Sequence, residues 1–166
     1  LAVSGAAGRM GQRVIALAAG EADIDIVAAI ERPNHARLGE DAGVVAGIPA
    51  IGVPLTAEMP GQADVMIDFS HPLAFAQVIE SCRVQQMALV FATTGIGPDD
   101  EKALAELSRL VPVVHSPNMS LAVNLAMKLC QVAATSLRDH DADVEIIERH
   151  HRFKEDSPSG TALQFG

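Results

Sequence analysis

The sequence has no apolar run long enough to cross a bilayer, and no charged-then-apolar segment of the kind that directs secretion stands at its start. It is short of positive charge: 12 Lys and Arg against 21 Asp and Glu give a net charge of −9. That balance argues against a nucleic-acid backbone or an anionic membrane surface as partner. Any anion site must be a local positive island. Cysteines number only two, Cys82 and Cys130, far apart and without the spacing of metal ligands. Both fall on predicted helices and are expected to be buried free thiols in a reducing, cytoplasmic compartment. His150 and His151 are sequence neighbours that point in different directions on an extended segment, so no metal site is expected. No internal repeat or low-complexity tract appears.

What is present suffices for one domain, or a domain and part of a second: 166 residues, 49% hydrophobic. The chain begins at Leu1 inside an apolar run and stops at Gly166 shortly after a helix has begun. A fragment, or a partly ordered chain, is expected.

Leu1-Ala2-Val3-Ser4 reads as the end of a buried strand. Gly5-Ala6-Ala7-Gly8-Arg9-Met10-Gly11 follows, then helical periodicity in Val14, Ile15, Leu17 and Ala18. Strand, glycine turn and helix in that order form the setting of a dinucleotide fingerprint, here spaced GxxGxxG. In that role Gly5 permits the tight turn, Gly8 the approach of a pyrophosphate, and Gly11 helix–strand packing. A second apolar run, Ile26 to Ile30, ends at Glu31-Arg32, twenty residues after Gly11. An acid there accepts from an adenosine ribose, and Arg32 can pair with a 2′-phosphate. The pair points to either NADH or NADPH.

Residues 33–63 are weakly periodic and read as a long loop, with a possible short strand near Val44-Val45 in a minor hairpin. The pattern then resumes: strand Val65–Phe69, helix from Pro72 to about Gln85, strand Ala88–Phe91, helix from Pro98 to about Leu110, strand Val111–Val114. Alternation of this kind predicts a parallel sheet with right-handed crossovers, and Pro112 makes the last strand short or an edge. Ligands of such sheets bind beyond the carboxyl ends of the strands. There lie Gly5 to Gly11, Ser70-His71, Thr93-Thr94-Gly95 and Ser116-Pro117-Asn118-Met119, with His71 read as a loop residue at a cofactor's edge. Leu121 to Leu137 reads as a long apolar helix, with Met127 and Cys130 in its core face. Asp143 to Glu148 reads as a strand that delivers the segment after it.

That segment, Glu148-Arg149-His150-His151-Arg152-Phe153-Lys154 through Ser159-Gly160-Thr161-Ala162, gathers two imidazoles, a lysine and a helix start. Ser159 reads as an N-cap, and the free N–H groups behind it can take a carboxylate or phosphate. Lys154 and the histidines add positive charge and a transferable proton.

Taken together, the glycine turn, Glu31-Arg32, Thr93-Thr94-Gly95, Pro117-Asn118 and the run from Glu148 to Ala162 resemble the 4-hydroxy-tetrahydrodipicolinate (dihydrodipicolinate) reductase family over essentially the whole chain. The resemblance implies a Rossmann-like dinucleotide-binding domain over 1–119. The start of a mixed α/β substrate domain would occupy 120–166, in a homotetramer when full length. It implies reduction of a cyclic imine dicarboxylate by NADPH or NADH in the diaminopimelate–lysine pathway. His150 and Lys154 would be the proton-transfer pair, and His151, Ser159, Gly160 and Thr161 would hold a substrate carboxylate. Gly8, Arg9, Met10, Gly11, Glu31 and Arg32 would hold the adenosine half of the cofactor. Thr93, Thr94 and Gly95 with Pro117, Asn118 and Met119 would hold the nicotinamide half. Ala92 departs from the family, standing where a first glycine of Gly-Thr-Thr-Gly is usual, which bears on the backbone conformation there. Two alternatives stay open. One is another two-domain NAD(P)-dependent dehydrogenase of amino or oxo acids; the other is a nucleotide-binding module without catalysis.

Overall fold

The computed structural model describes residues 1–116, 118–150, 152 and 157–166. Two compact units divide the chain, Leu1–His115 and Ser116–Gly166.

The first unit is built on six parallel strands: β1 (Ala2–Ser4), β2 (Ala28–Ile30), β3 (Leu55–Thr56), β4 (Val65–Asp68), β5 (Ala88–Phe91) and β6 (Val113–His115). Their spatial order is β3-β2-β1-β4-β5-β6, the order of a doubly wound dinucleotide-binding sheet. The crossovers run through α1 (Arg9–Ala18), α3 (Phe75–Gln85, entered by a 3-10 turn at Pro72–Ala74) and α4 (Pro98–Leu107). A short helix, α2 (Ala42–Val45), lies in the connection between β2 and β3.

Each face of the sheet is sealed by one apolar cluster, because side chains alternate along a strand. On one side Val3, Ala29 and Leu55 pack with Ile15, Ala18 and Val45. On the other Met66, Leu89 and Phe91 pack with Phe75, Val78, Cys82, Leu104 and Leu107. The helices supply these residues at helical spacing: Gly11, Ile15 and Ala18 from α1, and Phe75, Val78 and Cys82 from α3. Among the described residues Phe91 is the largest fully buried side chain, and it meets Phe75 edge to face, ring centroids 5.5 Å apart at 84°. Truncating such a ring to alanine costs about 3–5 kcal/mol, more than any single surface contact contributes. The edge position and three-residue length of β6 agree with what Pro112 requires.

Three expectations are corrected. Val44-Val45 is helical because Asp41 caps it: the Asp41 carboxylate accepts from the N–H groups of Gly43 and Val44, an N-cap that starts a helix where a short strand was expected. A strand at Leu55–Thr56 does occur, later in the loop than Val44-Val45. Residues 143–148 form no strand. A strand needs a ladder partner, and among the described residues the second unit offers none; Val144 and Ile147 are exposed.

In the second unit, α5 (Leu121–Leu137) forms where its apolar periodicity placed it, and α6 covers Gly160–Phe165. No residue of α5 is buried. The third correction follows: Cys130 is exposed, while Cys82 is buried as expected, and Met127 is only half-buried. Among the described residues no element covers the α5 face that carries Cys130. No helix among the described residues is long and apolar enough to cross a membrane.

Candidate functional site

Register aligns the strand ends. Ile30, Ser4, Asp68, Phe91 and His115 stand side by side at the carboxyl edge of the sheet. The glycine turn, Glu31-Arg32, Ser70-His71 and Thr93-Thr94-Gly95 all leave the sheet immediately beyond this row.

The glycines of the turn are required for different reasons. Gly5 has φ +74°, and a Cβ there would lie 2.5 Å from the Phe69 carbonyl oxygen. Its N–H and that of Ala6 both donate to the Ile30 carbonyl, tying the turn to β2. A Cβ on Gly11 would lie 2.1 Å from the Gly5 carbonyl oxygen, so that glycine lets α1 close onto the turn. Gly8 is exposed, and a Cβ on it would meet only the Gly5 oxygen, at 3.2 Å. Its open side is where another molecule can approach. Gly8 is also the N-cap of α1 and gives no side-chain acceptor to the first turn. The N–H groups there, at the positive end of the helix, are offered outward. Arg9 and Met10 are exposed on that turn.

Glu31 faces the turn. Its Oε2 accepts from the Ala7 N–H at 3.1 Å and its Oε1 from the Arg32 N–H at 3.0 Å. Gly5, Gly8, Glu31 and the exposed Arg32 bound a cavity of about 530 Å³. Its far wall is His71 with Gln77 and Ser81 of α3. His71 Nδ1 accepts from the Leu73 N–H at 3.2 Å, capping the 3-10 turn. A cradle floored by glycine backbone, open at a helix start and rimmed by a carboxylate and a guanidinium fits the phosphates and ribose of a dinucleotide.

At the exit of β5 the ladder ends with the Ala92 N–H donating to the Asp68 carbonyl. Thr93 follows, buried, its Oγ1–H donating to Asp68 Oδ2 at 2.6 Å. Gly95 turns the chain at φ +81°. The described non-glycine residues with positive φ are Gln86 and Asp141, so Ala92 sits in a conformation that needs no glycine. Below Asp68, burial and then the charge of that carboxylate push the Cys82 thiol up to about 12. Thr93, Thr94 and Gly95 do not line the 530 Å³ cavity; they stand at the next strand exit along the sheet.

In the second unit the Ser159 Oγ accepts from the Ala162 N–H at 3.1 Å, the N-cap its sequence indicated. The Ser159 N–H donates to Glu148 Oε1 at 2.8 Å, and Glu148 Oε2 lies 3.3 Å from His150 Nδ1. One carboxylate thus joins the His150 ring to the start of α6. Asn118 Nδ2 donates to Thr161 Oγ1 at 3.3 Å, and Asn118 Oδ1 accepts from the Ser120 N–H. So His150, Ser159, Gly160, Thr161 and Asn118 are tied together by Glu148 and by the Asn118–Thr161 bond. Met119 is exposed beside Asn118. Pro117, His151 and Lys154 lie outside the described residues. Among the described residues no three His, Cys, Asp or Glu side chains converge to hold a metal ion.

Comparison with known proteins meets this geometry. The sequence model described as dihydrodipicolinate reductase, N-terminus, matches residues 1–119, and that described as dihydrodipicolinate reductase, C-terminus, matches 122–166. The chain belongs to the dihydrodipicolinate reductase family. Among curated relatives, the 4-hydroxy-tetrahydrodipicolinate reductase of Geobacter metallireducens is 44% identical over 169 residues, covering 100% of this chain and 63% of that protein. That of Alkalilimnicola ehrlichii is 46% identical over 170 residues with the same coverage. A solved structure of dipicolinate-bound dihydrodipicolinate reductase from Paenisporosarcina sp. TG-14 matches with a TM-score of 0.72 at 26% identity. It covers 99% of this chain and 62% of that one. The chain therefore spans about 63% of the length of the relatives it matches.

Within the dihydrodipicolinate reductase frame, sequence reasoning passed over four residues. Gln77 and Ser81 reach the cavity from α3; their i, i+4 polar spacing beside an apolar stripe was the available sign. Glu148 was placed at a strand end and at the head of the run to Ala162 but given no role, and nothing local marks it as the link between His150 and α6. Asp68 was visible as a carboxylate inside the apolar run Val65–Phe69, a combination that burial makes costly without a partner.

Proposed function

We propose that the chain carries the cofactor-binding domain, over 1–119, and part of the substrate-binding domain, over 120–166, of an NAD(P)H-dependent 4-hydroxy-tetrahydrodipicolinate reductase. The enzyme serves diaminopimelate and lysine synthesis. The observation that carries this reading is the uncapped start of α1 at Gly8, opening onto a cavity rimmed by Glu31 and Arg32. Family membership gives that cavity its reductase setting.

Gly8, Arg9, Met10 and Gly11 receive the pyrophosphate at the helix start, and Gly5 sets the turn. Glu31 accepts from the adenosine ribose, giving up the Ala7 N–H to do so, and Arg32 pairs with a 2′-phosphate when one is present. Thr93, Thr94 and Gly95, with Pro117, Asn118 and Met119, hold the nicotinamide end. Bound NADPH or NADH supplies the hydride. Ser159, Gly160, Thr161 and His151 hold a carboxylate of the dicarboxylate substrate. The relative with dipicolinate bound supports that substrate class. His150, its ring fixed by Glu148, and Lys154 deliver the proton that the reduced ring requires. The working protein is a cytoplasmic homotetramer and engages neither nucleic acid nor membrane.

Titration of the protein with NADPH and with NADH tests the cofactor site, and substrate-dependent oxidation of either tests the reaction. Saturable binding of at least one cofactor is expected. A protein that binds neither, or oxidises cofactor only without substrate dependence, refutes the reading.

A further inference from the structure

Asp68 has no place in the mechanism above, yet it occupies a costly position. Its relative exposure is 0%, and it sits in the central strand β4, beside Phe91 in the β4–β5 register and near enough to Cys82 for its charge to act on that thiol. Burying a carboxyl there is unfavourable unless its hydrogen bonds are made. One is made, and made short: the Thr93 hydroxyl lies 2.6 Å from Oδ2, within the range of hydroxyl–carboxylate bonds. The other oxygen, Oδ1, has no partner among the described residues.

Register explains why these two side chains meet. Asp68 pairs with Phe91 across the β4–β5 ladder. Thr93 follows Phe91 by two residues, on the same face and one diagonal step further out. The last main-chain bond of the ladder is Ala92 N–H to Asp68 C=O. Beyond it, the next hydrogen bond in the described chain is Gly97 N–H to Asp100 Oδ2. Between those points the Thr93–Asp68 bond is the side-chain hydrogen bond that holds residues 93–95 to the sheet, just before Gly95 turns at φ +81° and Ile96 packs back on the apolar cluster. Thr93 is buried with its hydroxyl hydrogen spent inward on Asp68, and Thr94 is the exposed side chain of the pair.

We infer that Asp68 is a positioning residue for cofactor binding: through the Thr93 hydroxyl it fixes the Thr93–Gly95 segment where the nicotinamide end of the dinucleotide docks. The inference rests on the proposed cofactor reading and adds a residue that never touches the cofactor. It makes a distinction that loss of fold would not: the nicotinamide end should suffer while the adenosine end, held at Gly8, Glu31 and Arg32, should not.

The test compares the parent protein with Thr93→Val, Thr93→Ser, Asp68→Ala and the double variant Asp68→Ala/Thr93→Val. Dissociation constants are measured for NADPH and for 2′-phospho-ADP-ribose, which lacks nicotinamide, with far-UV circular dichroism as a check of fold. Emission of the bound reduced nicotinamide gives a second readout, clear of protein emission because the chain has no Trp or Tyr. Thr93→Val, close in shape but without the hydroxyl, should weaken NADPH by about tenfold and dim that emission, while the nicotinamide-free ligand stays within about twofold. Thr93→Ser should recover most of the loss, and the double variant should be no worse than Asp68→Ala alone. NADPH binding by Thr93→Val equal to the parent's refutes the inference, as does an equal loss for both ligands. A parent that binds neither ligand refutes the cofactor reading, and this inference with it.

Discussion

Adding one methyl group at Gly11 and at Gly8 should separate folding from binding within a single turn. At Gly11 the new Cβ would stand 2.1 Å from the Gly5 carbonyl oxygen and 2.8 Å from Ala6 Cα. An ordinary contact of that type needs more than 3 Å, so α1 and the turn must part by about 1 Å. The strain cannot be relieved by a side-chain rotation, because both atoms are main chain. Overpacking of this kind costs about 1–3 kcal/mol, and main-chain neighbours place Gly11→Ala at the upper end. At about 2–4 °C per kcal/mol, the melting temperature of the first unit should fall by roughly 5–10 °C. At Gly8 the nearest atom would be 3.2 Å away and the rest of the surroundings open. Gly8→Ala should therefore leave the melting temperature within about 2 °C. Its methyl projects where a pyrophosphate must approach, so NADPH and NADH should both weaken by about tenfold or more. Thermal and urea unfolding followed by circular dichroism, with cofactor titration on the same samples, reads both effects. Parent-like stability of Gly11→Ala, or parent-like cofactor affinity of Gly8→Ala, would refute the assignment of roles within the turn.

Other outcomes follow from the same geometry. Arg32→Ala should move the preference towards NADH by about tenfold, since a charge-assisted bond to a 2′-phosphate is worth about 1.5–3 kcal/mol; equal losses for both cofactors would make Arg32 a surface charge. Lys154→Ala should lower kcat by about 10²–10⁴-fold with cofactor affinity intact, and turnover at the parent rate would place the proton donor elsewhere. For Asp41, burial pushes the carboxyl up, but N–H donors from Ile51, Val44, Gly52 and Gly43 outweigh it and hold it below its ordinary 3.8. A lowered folded value means this stabilisation is complete above that ordinary value and is lost as pH falls through the folded one. The urea midpoint of the parent should exceed that of Asp41→Asn at neutral pH, and the gap should close in strong acid; a gap independent of pH would contradict the role.

What could be read in advance followed the reach of each signal. The sheet was legible because Leu1–Ser4, Val65–Phe69 and Ala88–Phe91 are apolar runs separated by helices of matching length, and parallel pairing is then the one arrangement that buries both faces. The glycine turn was legible because Gly5 and Gly11 answer to main-chain geometry that the spacing encodes. The Asp41 cap was not, since two of its four donors, Ile51 and Gly52, arrive from about ten residues downstream. The supposed strand at 143–148 failed for the opposite reason: alternation describes a strand's faces but says nothing about whether a partner exists. Asp68 lay between these cases. The sequence showed an acid in an apolar run, and only the β4–β5 register shows that Thr93 answers it.

The two thiols make the molecule its own stability gauge. In a chain of residues 1–166 Cys130 is exposed on α5, so a thiol reagent meets it there without any opening. Cys82 lies at 0% exposure and its thiol is pushed up to about 12, so it is shielded from reagent and held as the unreactive thiol while the sheet is closed. The slow second equivalent of label therefore counts openings of the α3 side of the sheet, while the fast first equivalent calibrates the reagent in the same tube. A ligand that binds at the Gly8 cavity and steadies the sheet would slow the second and leave the first unchanged.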